Sequence, residues 1–244
     1  EIKLPKETFK SPMAMEIFFT SLFQTGSATM IETYWNGKVR PWFSFEMVSV
    51  DGQIHFFIWT WPKFKDLIEA QLYAQYPNIE IYEVADYTKS VYHDPENLPL
   101  WGTYFKLTKA DAYPIKTYVD YKLDKEQEPE FMIDPMTSVL EYMGSMRKGE
   151  QIWFQILVQA HKKEGLADGR LFKRADWTKP AMEEIKRIRE EAIQDVDGVK
   201  LPNMTQGQKE AIEAIQRSIG KFAFEVSIRG FYIATKEAFN PSRF

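Results

Sequence analysis

The sequence contains no cysteine, which excludes disulfides, thiolate metal sites and cysteine nucleophiles. A chain without cysteine does not depend on an oxidising compartment, so a cytoplasmic location is predicted. Histidine is also scarce: His55, His93 and His161 lie far apart and show none of the spacings typical of a metal site. We therefore expect neither a metal ion nor a cofactor.

Excess positive charge and phosphate-binding loops are lacking as well. Lys and Arg total 31 against 35 Asp and Glu, giving a net charge of −4 and no general attraction for nucleic acid. No apolar run approaches the roughly 20 residues of a membrane-spanning helix, and the first residues do not resemble a signal peptide. The pairs Gly37-Lys38 and Gly220-Lys221 lack the other residues of a P-loop. No acid–base pair stands out either, so we predict a non-catalytic chain.

What is present is 44% apolar residues and a clear alternation of strand and helix patterns. Residues 1–88 predict the order β-α-β-β-α-β, which is that of a ferredoxin-like unit. Asp51-Gly52 is a strong hairpin signal between two of these strands. The predicted elements are a strand at 2–4, a helix from Ser11-Pro12, strands at 42–50 and 53–61, a helix from Pro62 and a strand at 79–84.

Residues 89–100 are interpreted as a linker, and residues 101–244 as a second ferredoxin-like half. Its predicted elements are strands at 103–107 and 115–121, a helix from Asp134-Pro135 to Gly149, and strands at 152–160 and 222–235. Residues 162–220 are predicted to be a helical insertion. It contains one helix at 178–194 and a second helix from Thr205, joined by a loop at 198–203. Strands 152–160 and 224–233 are predicted to pair despite this long separation. Asn240-Pro241 predicts a further helix start, and the second half is expected to be incomplete at its C-terminus. The predicted fold class is α+β.

The first hairpin carries aromatic rings on both faces, and a two-layer unit would leave one set uncovered. We expect burial against the second half or another subunit. Base stacking is the alternative, since RNA-recognition modules use the same element order, but the acidic net charge opposes it. The candidate interaction surface consists of four aromatic residues and the basic residues before the first inserted helix: Trp42, Phe57, Trp59, Trp61, Lys162, Lys163, Arg170, Lys173 and Arg174.

Five stretches carry a resemblance to a known group of proteins: residues 38–44 (KVRPWFS), 67–77 (LIEAQLYAQYP), 113–118 (YPIKTY), 133–135 (IDP) and 239–241 (FNP). With them the chain resembles N-terminal domains of bacterial proteins related to type IV secretion and conjugation ATPases of the HerA/FtsK-like superfamily. They span nearly the whole chain, but none is a chemical motif.

The resemblance implies a structural and interaction domain of a membrane-associated DNA-translocation ATPase, with membrane segments before it and a P-loop motor after it. The implied partners are other subunits or domains of a secretion complex, a second copy of the chain included. Two alternatives stay open: a single-stranded nucleic-acid-binding module that uses the sheet aromatics, and a small-molecule enzyme with polar groups such as Asp134 and His161 in a cleft between the halves.

Overall fold

The structure is a computed structural model that describes residues 1–5, 11–26, 29, 31–92, 94–124, 134–162, 176–196 and 199–243. It is an α+β fold. The strands are β1 (Ile2–Lys3), β2 (Trp42–Val50), β3 (Gln53–Trp59), β4 (Glu80–Ile81), β5 (Leu100–Phe105), β6 (Glu150–Ala160), β7 (Ile193–Val196), β8 (Val199–Pro202) and β9 (Phe224–Ala234). The helices are α1 (Met13–Ser21), α2 (Lys65–Gln75), α3 (Thr137–Gly144), α4 (Thr178–Glu191) and α5 (Gln206–Ile219).

Seven strands form one antiparallel sheet in the order β4-β1-β3-β2-β6-β9-β5, and β7 and β8 form a separate hairpin. At the centre, β2 pairs with β6 from Trp42 opposite Gln159 to Val50 opposite Gln151. The two predicted halves therefore share a continuous sheet. The second strand of the first half, β2, and the second strand of the second half, β6, are neighbours at its centre.

The predicted hairpin at Asp51-Gly52 is confirmed. Both residues have positive φ, 54° and 83°, as a type I′ turn requires, and β2 and β3 pair antiparallel on either side. A side chain at Gly52 would lie 2.7 Å from the carbonyl oxygen of Met146 and 2.9 Å from that of Gly144. Glycine is thus needed here both for its backbone conformation and because the chain after α3 lies directly against the turn.

One face of the sheet, called the helical face, carries α1, α2 and α3. Its first core cluster joins Phe18 of α1, Leu22 directly after it, and Ile68 and Leu72 of α2 to Phe43. Its second cluster joins the buried methionines at the end of α3 to β6 and β9, and it contains Met143, Met146, Ile152 and Tyr232. Each such side chain contributes on the order of 1.5–3 kcal/mol when fully buried.

The opposite face is partly covered by residues 86–98, of which the structure describes all but His93 and most of which were predicted to be a linker. Tyr87, Val91 and Leu98 pack against a buried cluster of Val48, Trp153 and Ile233. The Tyr87 hydroxyl also donates to Glu46 Oε2 at 2.6 Å and accepts from Gln155 Nε2 at 2.7 Å. This segment therefore contacts strands of both halves and seals the centre of the sheet.

Between β6 and β9 lie α4, α5 and the β7–β8 hairpin. The two helices have a core of their own, formed by Ala181, Ile185, Ile188, Ile212 and Ile215. The predicted pairing across this segment is confirmed, from Ala160 opposite Phe224 to Gln151 opposite Ile233. The loop predicted at 198–203 is wrong, because residues 199–202 form β8.

The strand predicted at 115–121 is also wrong, because residues 118–121 form turns and residues 115–117 have no regular secondary structure. The Asp120 carboxylate accepts hydrogen bonds from the Thr117 backbone N–H at 2.7 Å and from its hydroxyl at 3.1 Å. Such local side-chain bonds offer the backbone an alternative to a strand ladder. The hydrogen bonds between Thr117 and Asp120 thus favour a turn here, although the alternation of apolar residues predicted a strand.

Candidate interaction surfaces

Trp42, Trp59 and Trp61, here called the tryptophan cluster, lie at one end of the sheet on the face opposite the helices. The rings of Trp42 and Trp59 are stacked, with centroids 4.2 Å apart and planes at 14°, and Trp61 meets Trp59 edge-on at 6.1 Å. Trp59 remains 41% exposed. The Trp61 indole N–H is buried, and no described residue accepts a hydrogen bond from it. Three of the four predicted aromatic residues are therefore brought together by the register of β2 and β3.

Phe57, the fourth predicted aromatic residue, lies in a different environment. Its ring stacks on Tyr87 at 4.9 Å and 19°, and Tyr87 meets Trp153 edge-on at 4.9 Å. Phe57 is thus half-buried under residues 86–98, next to side chains from both halves. The second half does not bury Trp59 in this way, so the expectation of burial against that half is wrong for Trp59. Burial of Trp59 against a partner stays a prediction.

Of the predicted basic residues, the structure describes only Lys162. Its ammonium group is exposed and donates to the Gly26 carbonyl oxygen at 3.3 Å. Lys162 follows the end of β6, and since Gln159 pairs with Trp42, it lies at the same end of the sheet as the tryptophan cluster. Lys163, Arg170, Lys173 and Arg174 lie outside the described residues.

Sequence reasoning missed an ionic cluster at this end of the sheet. Arg40 is buried, donates to the Ala160 carbonyl oxygen at 2.5 Å and lies 3.3 Å from both carboxylate oxygens of Glu225. His161 Nδ1 lies 3.1 Å from the same carboxylate. The cluster links the starts of β2 and β9 to the end of β6. Because His161 Nε2 is buried, this histidine has no ring nitrogen open to a substrate.

The other residue of the enzyme alternative, Asp134, is used at a helix start. Its carboxylate accepts a hydrogen bond from the Met136 backbone N–H at 2.8 Å, just before α3. That helix packs against the beginning of β6, whereas His161 follows the end of the same strand. The structure therefore places these two residues near opposite ends of β6 and not in one cleft.

A second apolar surface, called the open surface, consists of Phe105, Val226 and Ile228 on the helical face of β5 and β9. Their exposed fractions are 52%, 55% and 36%. Ile228 lies directly opposite Phe105 in the β5–β9 register, and no described helix covers the three side chains. Beside them, Phe222 is 60% exposed and stacks on Phe23 at 4.4 Å. Strand alternation identified Val226 and Ile228 as apolar neighbours, but it did not show that they would be uncovered.

A third surface is the single π-helical turn Ile31–Trp35, in which Ile31 is 71% exposed, Tyr34 53% and Trp35 86%. The Glu32 carboxylate accepts from Lys38 Nζ at 2.8 Å and from the Thr29 backbone N–H at 2.9 Å. These hydrogen bonds, with that of Lys38 the larger influence, lower the pKa of Glu32 to about 2. Sequence reasoning did not select this turn, although the adjacent Tyr34-Trp35 pair before Asn36-Gly37 was a visible signal.

In the part of the chain that the structure describes, no three or more His, Asp or Glu side chains are grouped so that they could hold a metal ion. None of the described helices combines the length and apolar character needed to cross a bilayer.

The comparisons with known proteins gave one match. The family model of DUF8128, a domain of unknown function, matches residues 1–244. No curated protein matches the chain, and no solved structure does.

Proposed function

Because the chain belongs to the DUF8128 family of domains of unknown function, its role must be inferred from its own surfaces, and we propose that it is a non-catalytic structural and interaction domain. Its proposed setting is a membrane-associated type IV secretion or conjugative DNA-translocation ATPase, where it docks another domain or subunit. The setting is supported by the resemblance of the five sequence stretches, and the interaction role by the exposed apolar surfaces.

The proposed architecture is two ferredoxin-like halves within one sheet. Residues 1–88 have the element order of such a unit, and their strands lie in the order β4-β1-β3-β2. In the second half, β5, β9 and β6 repeat the order of β1, β3 and β2. The long connection between β6 and β9 is then an insertion into the second half.

The open surface is the observation that carries the proposal. Phe105, Val226 and Ile228 are large apolar side chains on one face of adjacent strands, and each is at least one-third exposed. Burial of such a side chain is favourable by on the order of 1.5–3 kcal/mol, and contiguous apolar patches mark interaction sites. A contiguous apolar surface of this kind fits docking better than catalysis.

Site-specific photocrosslinking in the bacterium that makes the protein tests this proposal. A photoreactive residue at Val226 should crosslink to another part of a secretion or conjugation complex, identified by mass spectrometry. The matched control is a photoreactive residue at Glu213, which is exposed on α5 and should give no such product. Crosslinks from position 226 only to proteins unrelated to secretion, or none at all, would contradict the proposal.

The nucleic-acid alternative has one specific observation in its favour, which is the exposure of Trp59 beside Trp42, at the same end of the sheet as Lys162. Stacking of bases on these rings should quench tryptophan fluorescence on titration with single-stranded DNA or RNA at low and moderate salt. We expect no saturable quenching. We also expect Trp59→Ala to lower the melting temperature without changing any nucleic-acid affinity. Loss of binding in a variant of unchanged stability would favour the stacking function instead.

A further inference from the structure

The sheet repeats its strand order about the central β2–β6 pair. The first half has the chain order β1-α1-β2-β3, and its strands lie in the sheet in the order β1-β3-β2. The second half has the chain order β5-α3-β6-β9 among its sheet strands and the helix on the helical face, and its strands lie in the order β5-β9-β6. A local two-fold axis perpendicular to the sheet would place equivalent strands side by side and antiparallel, as β2 and β6 are. It would also keep equivalent helices on one face, as α1 and α3 are. Thus β5 corresponds to β1, and β9 to β3.

The turn after the third strand is repeated as well. In the first half, β3 is followed by the 3-10 turn Pro62–Phe64, which leads into α2, and then β4 pairs with the outer edge of β1. In the second half, β9 is followed by the 3-10 turn Pro241–Arg243. Both turns begin with proline at the first position, as helix starts favour.

The second turn is held firmly against α3. The Arg243 guanidinium donates to the Ser145 hydroxyl and to its carbonyl oxygen, both at 2.9 Å, and lies 3.4 Å from the Glu150 carboxylate. The Tyr142 hydroxyl donates to the Arg243 carbonyl oxygen. The chain is therefore directed beside α3, as the Pro62–Phe64 turn directs it beside α1, where α2 then packs.

The side chains left uncovered in the second half correspond to those covered in the first. Ile58 of β3 packs against the core cluster to which α2 contributes Ile68 and Leu72. On β9, Val226 and Ile228 occupy the same face without such a helix. The outer edge of β1 is paired with β4, whereas no described strand pairs with the outer edge of β5.

We propose that the open surface is the seat of a helix followed by a short strand of the same polypeptide, joined through the Pro241–Arg243 turn. The helix lies over Phe105, Val226 and Ile228 with apolar residues spaced as Ile68 and Leu72 are, and the strand pairs antiparallel with β5. This occupant rests on the proposed docking function of the surface. Three observations support it: the repeated strand order, the repeated turn and the uncovered side chains.

A chain extended directly after Phe244 by a copy of residues 65–84, which contain α2 and β4, tests this occupant. Hydrogen exchange of β5 is measured by mass spectrometry in the extended and the unextended chain. Helix–strand docking should slow exchange in β5 by at least about tenfold, because its outward N–H groups become paired. Binding of a hydrophobic dye to the open surface should fall at the same time.

The matched control is the same extension with Ile68→Asp and Leu72→Asp in the copied segment only, which should leave β5 exchange fast. Unchanged β5 exchange in the unmodified extension would overturn the helix–strand occupant. If β5 exchange in the unextended chain becomes slow as the protein concentration rises, the occupant is a second copy of the chain. That result would also overturn the helix–strand occupant. Crosslinks from position 226 to another secretion subunit, with β5 unprotected by the extension, would leave the docking function standing and remove only this occupant.

Discussion

The two ends of the sheet differ in how their outer strands are covered. In the first half, Ile68 and Leu72 of α2 are each only 4% exposed, and β4 closes the edge through the pairing of Ile81 with Ile2. In the second half, the corresponding face of β9 is open, and β5 has a free outer edge among the described residues. The central strands are sealed by helices on one face and by residues 86–98 on the other. The fold therefore holds its core at the centre and leaves one end apolar and accessible.

The two edge strands also differ in length and chemistry. β4 is two residues long, and its Glu80 is charged. β5 is six residues long, has no charged residue, and exposes Leu100, Tyr104 and Phe105. Long apolar edges pair readily with other chains, and short or charged edges resist such pairing. This difference supports the proposal that the β5 end is the one at which the domain docks.

The largest expected difference between the halves concerns Ile58 and Ile228. Ile58→Asp should cost several kcal/mol, roughly 3 or more, because it places a charge under α2. Ile228→Asp should cost clearly less, about 1 kcal/mol, because more than a third of this side chain is already exposed in the unextended chain. Chemical denaturation of both variants measures the free energy of unfolding. Equal losses would show that the open surface is covered after all.

The two 3-10 turns are expected to differ in their response to pH. Phe64 holds the first turn through ring contact with Phe43 at 5.5 Å, whereas Arg243 holds the second through Glu150. Burial alone would raise the pKa of Glu150, but hydrogen bonds from the Arg147 backbone, Tyr232 and Arg243 outweigh it, so the pKa is lowered.

A lowered carboxyl pKa stabilises the fold above the ordinary value of about 4.3, and this contribution disappears as the pH falls through the lowered pKa. Glu150→Gln should therefore cost about 1.5–3 kcal/mol at pH 7 and should lose less stability on acidification than the parent chain. Melting temperatures between pH 3 and pH 7 measure both effects. Parallel pH curves for the two proteins would contradict the assignment.

The first hairpin has a ring stack that should contribute a smaller amount. Trp42 and Trp59 are expected to show a coupling energy of about 0.5–1.5 kcal/mol in a double-mutant cycle with Trp42→Ala and Trp59→Ala. The stack lies at the end of β2 and β3 away from the Asp51-Gly52 turn, where it holds the strand ends together. Additive losses would mean that the two rings act independently.

The smallest effect on the sheet is expected from shortening the connection between β6 and β9. The first half joins the equivalent strands by a two-residue turn, and closure entropy changes by only about 0.6 kcal/mol per doubling of loop length. Replacing residues 162–218 by a short glycine–serine linker should remove the helical signal of α4 and α5, which have their own core, and keep the sheet signal. An unfolded product would show that these helices are part of the main core.

Several local features were predictable because their causes lie within a few residues. The Asp51-Gly52 turn adopts the expected positive φ values. Thr205 and Gln208 form the expected capping box, with each side chain accepting from the other residue's backbone N–H. The β7–β8 hairpin was missed, although Asp197-Gly198 repeats the dipeptide of the first hairpin in the sequence. There the helical pattern on either side was given more weight than a short turn signal.

The candidate surfaces were predictable only in part. The nearness of Trp42 and Trp59 follows from the hairpin register, which alternation and turn type determine. The cover over Phe57 comes from Tyr87, far along the chain in a segment with little periodicity. The Arg40–Glu225 contact joins residues from the two halves and has no signal in the spacing of either residue. Such contacts become visible only when the order of the strands is known.

By itself the sequence determined most of the helices and strands, the first hairpin and the β6–β9 pairing, because side-chain periodicity, caps and turn residues act over short distances or through matching apolar faces. Only the tertiary structure decided that β2 and β6 meet at the centre of one sheet, that residues 86–98 cover it, and that β5 and the face of β9 stay open. An apolar strand face is compatible with several neighbours of equal hydrophobicity. The choice among them depends on the packing of the whole chain, since the free energy of hydrophobic burial scales with the apolar area buried and does not depend on direction.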